Sequence, residues 1–175
     1  MQELLDVKAS ELNPNDLIHR MLMAPVDLFY NGGIGTYIKA STENNITVGD
    51  RANDDLRVNG NELRCKVIGE GGNLGVTQLG RIEAAQNGVL VNTDSIDNAA
   101  GVNTSDHEVN IKILLSDAAR QQGLDFDDRN ELLVDMTPEV ASAVLYDNYL
   151  QAQAITLEAD GGVTGGDMLY RLQNF

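Results

Sequence analysis

Two glycine-rich loops carry the residue types best suited to hold a flat or anionic ligand: Asn31-Gly32-Gly33-Ile34-Gly35 and Gly69-Glu70-Gly71-Gly72-Asn73-Leu74-Gly75. Glycine has no β-carbon, so backbone amides can come close to such a ligand. The same residues also permit left-handed turns, and for either loop taken alone both uses stay open. Each loop ends a short apolar run, at 26–30 and 65–68. A third run, Val89-Leu90-Val91, leads into Asn92-Thr93-Asp94 and then Asn98-Ala99-Ala100-Gly101-Val102. Apolar runs that stop at glycine, asparagine and acidic residues are how an α/β sheet presents a binding edge, so function is expected at the strand ends.

Ser105 is the polar residue of most interest outside these loops. Ser105-Asp106-His107-Glu108 matches a capping box, which would satisfy a helix donor and need no further role. The same helix start, with free N–H groups and the positive end of its dipole, would also hold a substrate carboxylate. Neither glycine loop matches the dinucleotide fingerprint G-x-G-x-x-G, and no phosphate-binding P-loop, zinc-protease helix or Ser-His-Asp hydrolase elbow is present. The two histidines, His19 and His107, lie far apart and there is a single cysteine, so no metal site is expected. His19 reads as a helix-surface or packing residue, His107 as part of the first turn of its helix, and Cys65, mid-strand among apolar residues, as an inert thiol.

The elements that must position these groups can be read in order. Asn13-Pro14-Asn15-Asp16 opens a helix with Leu17, Ile18, Met21 and Leu22 on one face, ending before Pro25. Residues 26–30 form a strand running into the first glycine loop. Residues 37–63 are polar, with turn signals at Asn44-Asn45, Gly49-Asp50 and Asn59-Gly60, and predict an irregular excursion carrying a short helix or a hairpin at Asn59-Gly60. A second strand begins at Cys65. Thr77 then caps a helix with Leu79, Ile82 and Ala85 inward, stopped by Asn87-Gly88, and a third strand follows at Val89. Strand, helix, strand in that order predicts a crossover unit of a parallel sheet. Beyond Ser105 a long helix runs to Gly123, followed by helices around 129–134 and from Thr137-Pro138. The tail from Asp160, with paired glycines, reads as a linker.

The chain has 175 residues, enough for one domain with a helical appendage, and a formal net charge of -15. That charge repels phosphate backbones and anionic lipid, so neither nucleic acid nor a membrane surface is an expected partner. One cysteine rules out an internal disulfide and suits a reducing cytoplasm. No apolar stretch approaches the ~18 residues that span a bilayer, and the first residues lack the basic start of a signal peptide.

The order of the loops resembles the second half of the nucleotide-binding domain of glutamate dehydrogenases. The resemblance is carried by Val26-Asp27-Leu28, by Lys66 through Asn73, by Val89 through Asp94, and by Asn98 through Val102 with Ser105. Three longer strings are similar to the large, multidomain, NAD-specific bacterial class: Gly32-Gly33-Ile34-Gly35-Thr36-Tyr37, Gly49-Asp50-Arg51-Ala52-Asn53-Asp54, and Asp106 through Leu115. The likeness covers roughly 14–154. It implies a partial Rossmann-like α/β fold with a mainly parallel sheet and C-terminal helices, occupying 1–159, with 160–175 as the linker or tail.

By matched position the resemblance also implies roles. Gly72 and Asn73 would lie at the nicotinamide end of NAD, with Gly72 where the family more often carries alanine. Asn98 would face the nicotinamide carboxamide, in an element where Ala100 replaces a glycine, and Asn31, Gly32 and Gly33 would pass beside the cofactor. Ser105 falls where glutamate-specific members contact the substrate's side-chain carboxylate. The implied activity is oxidative deamination of L-glutamate to 2-oxoglutarate and ammonia, in amino-acid catabolism. No counterpart of the family's catalytic lysine and aspartate, nor of its glycine fingerprint, is visible, so the resemblance implies a segment of a larger, homo-oligomeric enzyme that is inactive alone. Two other readings stay open: a non-catalytic ligand-binding or assembly module, and a dehydrogenase for another amino acid such as a branched-chain one.

Overall fold

The computed structural model describes Leu5, Val7 and residues 11–160. These form two compact units, one reaching Asn98 and the other starting at Ala99. Among the described residues no helix is long and apolar enough to cross a membrane. The glycine-paired tail expected to be a linker lies outside the described residues, apart from Asp160.

The first unit opens with helix α1, Pro14–Leu22, and its start is the expected one: the Asn13 side chain accepts from the Asp16 amide at 2.8 Å, with proline in the first turn. The helix ends at Met23, ahead of Pro25. Of the four apolar residues placed on one face, only Leu22 is buried. Strands β1 (Leu28–Asn31), β4 (Val67–Glu70) and β5 (Leu90–Val91) form a parallel sheet in the order β1-β4-β5. The crossover expected after the second glycine loop is present. Helix α3, Gln78–Gln86, connects β4 to β5, and Thr77 caps it by accepting from the Gly80 amide at 3.0 Å. Asn87 closes the helix, and Gly88 then turns the chain at φ +89°.

Residues 37–63 are more ordered than their polarity suggests. They hold β2 (Ile38–Lys39), the short helix α2 (Asn45–Val48) and β3 (Val58–Asn59), with 3-10 turns at Arg51–Asn53 and Gly60–Glu62. No hairpin forms at Asn59-Gly60; β2 and β3 instead pair in parallel, and Gly60 opens a 3-10 turn. The organiser is Arg57, whose buried guanidinium donates to the Thr36 and Asp50 carbonyls at 2.8 and 2.6 Å and to Asn45 Oδ1 and Asp54 Oδ1 at 2.7 and 2.8 Å. Arginine's fixed fork lets one side chain join four separated points of chain.

The inward face of α3 also differs from expectation. Leu79, Ile82 and Ala85 are exposed, while Gly80, Arg81 and Ala84 are buried. The reason is close packing. A β-carbon on Gly80 would lie 3.0 Å from Lys39 backbone atoms, and one on Gly60 would lie 2.6 Å from the Gly80 carbonyl oxygen. The helix therefore approaches β2 and the Gly60–Glu62 turn through its smallest residue, which fixes the opposite face toward solvent. Ile38, Val58, Ile68 and Val76 sit at the centre of the apolar core this arrangement encloses.

The sheet buries one face only. Phe29, Ile68 and Val91 turn toward the core, whereas Leu28, paired with Val67 and through it with Leu90, lies on the other face. Leu28, Tyr30 and Leu90 are 56%, 64% and 69% exposed.

The second unit contains α5 (Ala99–Gln122), α6 (Phe126–Asp135) and α7 (Thr137–Asp160). Both later helices match expectation, and Gly123, at φ +72°, ends α5. The start of α5 does not: it begins at Ala99 rather than after Ser105, so the segment Ala99-Ala100-Gly101-Val102 is helical. His107 accordingly lies well inside the helix, where its Nε2 is 3.5 Å from Asp147 Oδ2 of α7.

The Gly60 contact gives a direct test. Gly60→Ala should cost about 1–3 kcal/mol by overpacking against backbone. Gly33→Ala, whose β-carbon would meet nothing within 4 Å, should stay within about 0.5 kcal/mol in the same denaturant titration.

Candidate functional site

The carboxyl ends of β1, β4 and β5 carry, in turn, the loop from Asn31 to Gly35, the loop from Glu70 to Gly75, and Asn92-Thr93 followed by helix α4, Asp94–Asp97. The first two close directly on each other. The Gly71 amide donates to the Asn31 carbonyl at 2.8 Å. The Gly33 carbonyl oxygen occupies a place 2.7 Å from where a Gly72 β-carbon would stand, and the Tyr30 hydroxyl lies 2.1 Å from the corresponding point on Gly71. Glycine is required at 72, where the neighbour is backbone, whereas at 71 it leaves room for the exposed Tyr30 side chain.

The second and third loops are joined by polar groups. Asn98 Nδ2 donates to Asn73 Oδ1 at 2.9 Å. Asp94 Oδ2 accepts from the Leu74 amide at 2.8 Å, and Asp97 Oδ2 from the Glu70 amide at 3.0 Å. Beneath them lies an ion cluster that sequence reasoning missed. Arg81 donates through Nε and Nη2 to Glu70 Oε2 at 3.0 and 2.8 Å, and its Nη2 is 3.0 Å from Asp94 Oδ1. Glu70 is 0% exposed, and its other oxygen accepts from the Val76 amide at 3.0 Å. Burial pushes the Glu70 carboxyl up from the ordinary carboxylate range, against the opposing pull of Arg81 and the Val76 amide. The available signal was an arginine at the fourth helical position after Thr77, on the face turned to the sheet. Apolar periodicity reads that position as wrong for a core.

The opposite flank is held by Asp50, whose Oδ2 accepts from the Thr36 amide at 2.8 Å and from Asn53 Nδ2 at 2.6 Å. The Asn53 side chain, then the Thr36 amide, lowers the Asp50 carboxyl below its usual range. Gly35, at φ +129°, sits where a β-carbon would be 2.6 Å from Asn53 Nδ2. The first loop is thus tied at its far end to the Arg57 cluster.

Of the residues expected to form a site, Gly33 meets Gly72, Asn73 meets Asn98, and Asn31 lies against Gly75, whose β-carbon would be 2.0 Å from Asn31 Nδ2. Gly32 packs beneath the Tyr30 ring. Asn31 is buried and its Nδ2 has no hydrogen-bond partner among the described residues. Ser105 belongs to the second unit. It is not an N-cap: exposed in the second turn of α5, it donates its hydroxyl to the Val102 carbonyl at 2.8 Å, so its amide is not part of a free helix start. A carboxylate there would meet the hydroxyl alone. His19 packs with Nδ1 3.3 Å from the Leu56 carbonyl oxygen, and burial raises the Cys65 thiol, which keeps it protonated.

The parallel-sheet edge thus combines two interlocked glycine loops with paired asparagine amides, groups that both donate and accept hydrogen bonds. Residues 1–158 match the family described as bacterial NAD-glutamate dehydrogenase, catalytic domain, and the chain belongs to that family. Among its relatives is the NAD-specific glutamate dehydrogenase of Halomonas elongata, 57% identical over 157 residues, which are 90% of this chain and 10% of that protein. The enzyme of the same name from Pseudomonas aeruginosa is 56% identical over the same shares. That of Mycobacterium tuberculosis is 58% identical over 82% of this chain and 9% of its own length. The chain thus spans about a tenth of the relatives it matches.

The buried cluster predicts a pH-dependent penalty. Arg81→Met should cost about 3–5 kcal/mol by leaving Glu70 without its partner. Glu70's folded-state pKa lies above its ordinary value, so the folded chain holds this proton more tightly, and stability is lost as pH rises through the raised pKa. Removing Arg81 raises it further. Denaturation at about pH 5 and about pH 8 should therefore show the larger deficit at the higher pH; equal deficits would exclude Glu70 as the cause.

Proposed function

We propose that this chain supplies the nicotinamide-side loops and part of the substrate pocket of an NAD-dependent glutamate dehydrogenase, which converts L-glutamate to 2-oxoglutarate and ammonia. The observation that carries the reading is the Asn73–Asn98 amide pair beside the interlocked Gly33 and Gly72 backbone at the sheet's carboxyl edge. NAD, when bound, would supply the hydride-acceptor chemistry for oxidation of glutamate at Cα.

The chain's own residues bind and orient. Asn98 exchanges its bond with Asn73 for one to the nicotinamide carboxamide, and Asn73 offers the complementary half of its amide. The unpaired Asn31 Nδ2 gives a further donor. Gly32, Gly33 and Gly72 keep side chains out of the space between the loops, so backbone comes close to the cofactor. The Ser105 hydroxyl, once released from Val102, donates to the side-chain carboxylate of glutamate, which sets the preference for a dicarboxylic substrate. Holding both reactants in reacting geometry is the contribution of such groups, because positioning removes much of the barrier to a bimolecular step.

The same proposal places the enzyme in cytoplasmic amino-acid catabolism as a homo-oligomer, with the other domains of a longer polypeptide supplying the proton-transfer groups. The single, buried cysteine thiol supports a reducing compartment.

Two substitutions in the full-length enzyme separate the roles. Asn98→Ala should weaken NADH binding about tenfold, the loss of one good hydrogen bond to the cofactor, with little effect on glutamate saturation. Ser105→Ala should raise KM for glutamate by about tenfold and leave NADH affinity unchanged. Unchanged glutamate kinetics would defeat the substrate assignment of Ser105.

A further inference from the structure

Leu74 is the one non-glycine position with positive φ among the described residues, at +57°. Its loop has glycine at 71, 72 and 75, yet a leucine stands where the backbone is left-handed, the conformation that costs a side-chain-bearing residue most. Core burial does not repay that cost, since Leu74 is 64% exposed. The conformation is nonetheless firmly imposed. The Leu74 amide donates to Asp94 Oδ2 at 2.8 Å, Asp94 Oδ1 is 3.0 Å from Arg81, and Arg81 is bonded twice to the fully buried Glu70. A strained, exposed apolar side chain held up by a buried ion cluster is poorly explained by folding alone.

Its position gives it a use. Leu74 directly follows Asn73, whose amide is bonded to Asn98, so the chain carries an exposed apolar residue beside a carboxamide pair in the same loop. A nicotinamide ring presents that pairing: a carboxamide at its edge and an apolar face. We propose that Leu74 is a cofactor-contact residue whose side chain forms the apolar wall on which the nicotinamide face rests, with Asp94 as the positioning residue that holds it there. The inference rests on the cofactor reading above and deepens it.

The test uses the full-length enzyme with NADH as the probe, read by its fluorescence on binding and set beside thermal melting. Leu74→Gly keeps the left-handed backbone without strain and removes the side chain. Leu74→Ala keeps the strain, and Leu74→Met restores an apolar side chain of similar volume. The glycine and alanine variants should each weaken NADH binding about tenfold, and the methionine variant should return to within about twofold of the parent. The glycine variant should also melt at or above the parent temperature, because the strain is gone. Affinity lost only together with a lowered melting temperature in Leu74→Gly would make the residue structural and overturn the proposal. Unchanged affinity in both Leu74→Gly and Leu74→Ala, while Asn98→Ala weakens it, would overturn the role of Leu74 and leave the cofactor reading standing. Unchanged affinity in all three would remove both.

Discussion

The arrangement of the candidate site depends on one guanidinium. Arg81 reaches from α3 to Glu70 at the end of β4 and to Asp94 at the start of α4, so a single side chain sets the spacing of the second and third loops. Such a group is expensive to bury, and a well-packed apolar cluster of similar volume would often stabilise a fold as well or better. Direction is what the ion cluster adds. Glu70 turns one oxygen to Arg81 and the other to the Val76 amide, which fixes both ends of the Gly71–Gly75 segment. Asp94 divides its oxygens between Arg81 and the Leu74 amide. Apolar side chains packed at the same place would exclude water but would not set the orientation of individual amides.

A second arginine does similar work on the opposite flank. Arg57 holds the Thr36 carbonyl while Asp50 holds the Thr36 amide, so the end of the first glycine loop is gripped on both sides of one residue. The two clusters are linked through β2. The Tyr37 amide donates to the Gly75 carbonyl at 2.9 Å and the Thr77 amide to the Ile38 carbonyl at 2.9 Å. The excursion between the first two sheet strands is therefore a brace that fixes where both loops end. Glycine between the braces gives close backbone approach at Gly33 and Gly72, and the braces limit the freedom that glycine would otherwise bring.

Features set by local chemistry were legible in the sequence. The Asn13 and Thr77 caps, the stops at Gly88 and Gly123, and the strands leading into glycine loops all depend on residues within a few positions of each other. Three readings failed for the complementary reason. The inward face of α3 is chosen by how closely Gly80 can approach Lys39, a contact between segments far apart in sequence, and apolar periodicity then points the wrong way. The parallel pairing of β2 with β3 is likewise fixed by Arg57 and its distant partners, where the local Asn-Gly signal favours a hairpin. Ser105 carries a sound capping pattern, but helical Ala99-Ala100-Gly101-Val102 precedes it, and a helix already propagating does not restart at a cap. Of the site residues, the loop members were readable by type and by resemblance. The Glu70–Arg81–Asp94 cluster was not, since charge inside a core is visible only once the chain is folded.

The uncovered face of the sheet shows why polar braces suit this site. Parallel sheets are ordinarily covered on both faces, and here Leu28, Tyr30 and Leu90 present a row of apolar groups that remain largely exposed. Burying each would contribute roughly 1.5–3 kcal/mol, so the three together are comparable with the whole net stability of a small domain, about 5–15 kcal/mol. Whatever covers this face therefore has a large influence on how stable the sheet is. The spacing of the loops is set by Arg81 and Arg57 on the core side and beyond the strand ends, and Tyr30 of the uncovered face also packs on Gly32 and Gly71. The distance from Asn73 to Asn98 is set by Asp94, Asp97 and the buried cluster beneath them, which are polar and directional where the cover is apolar.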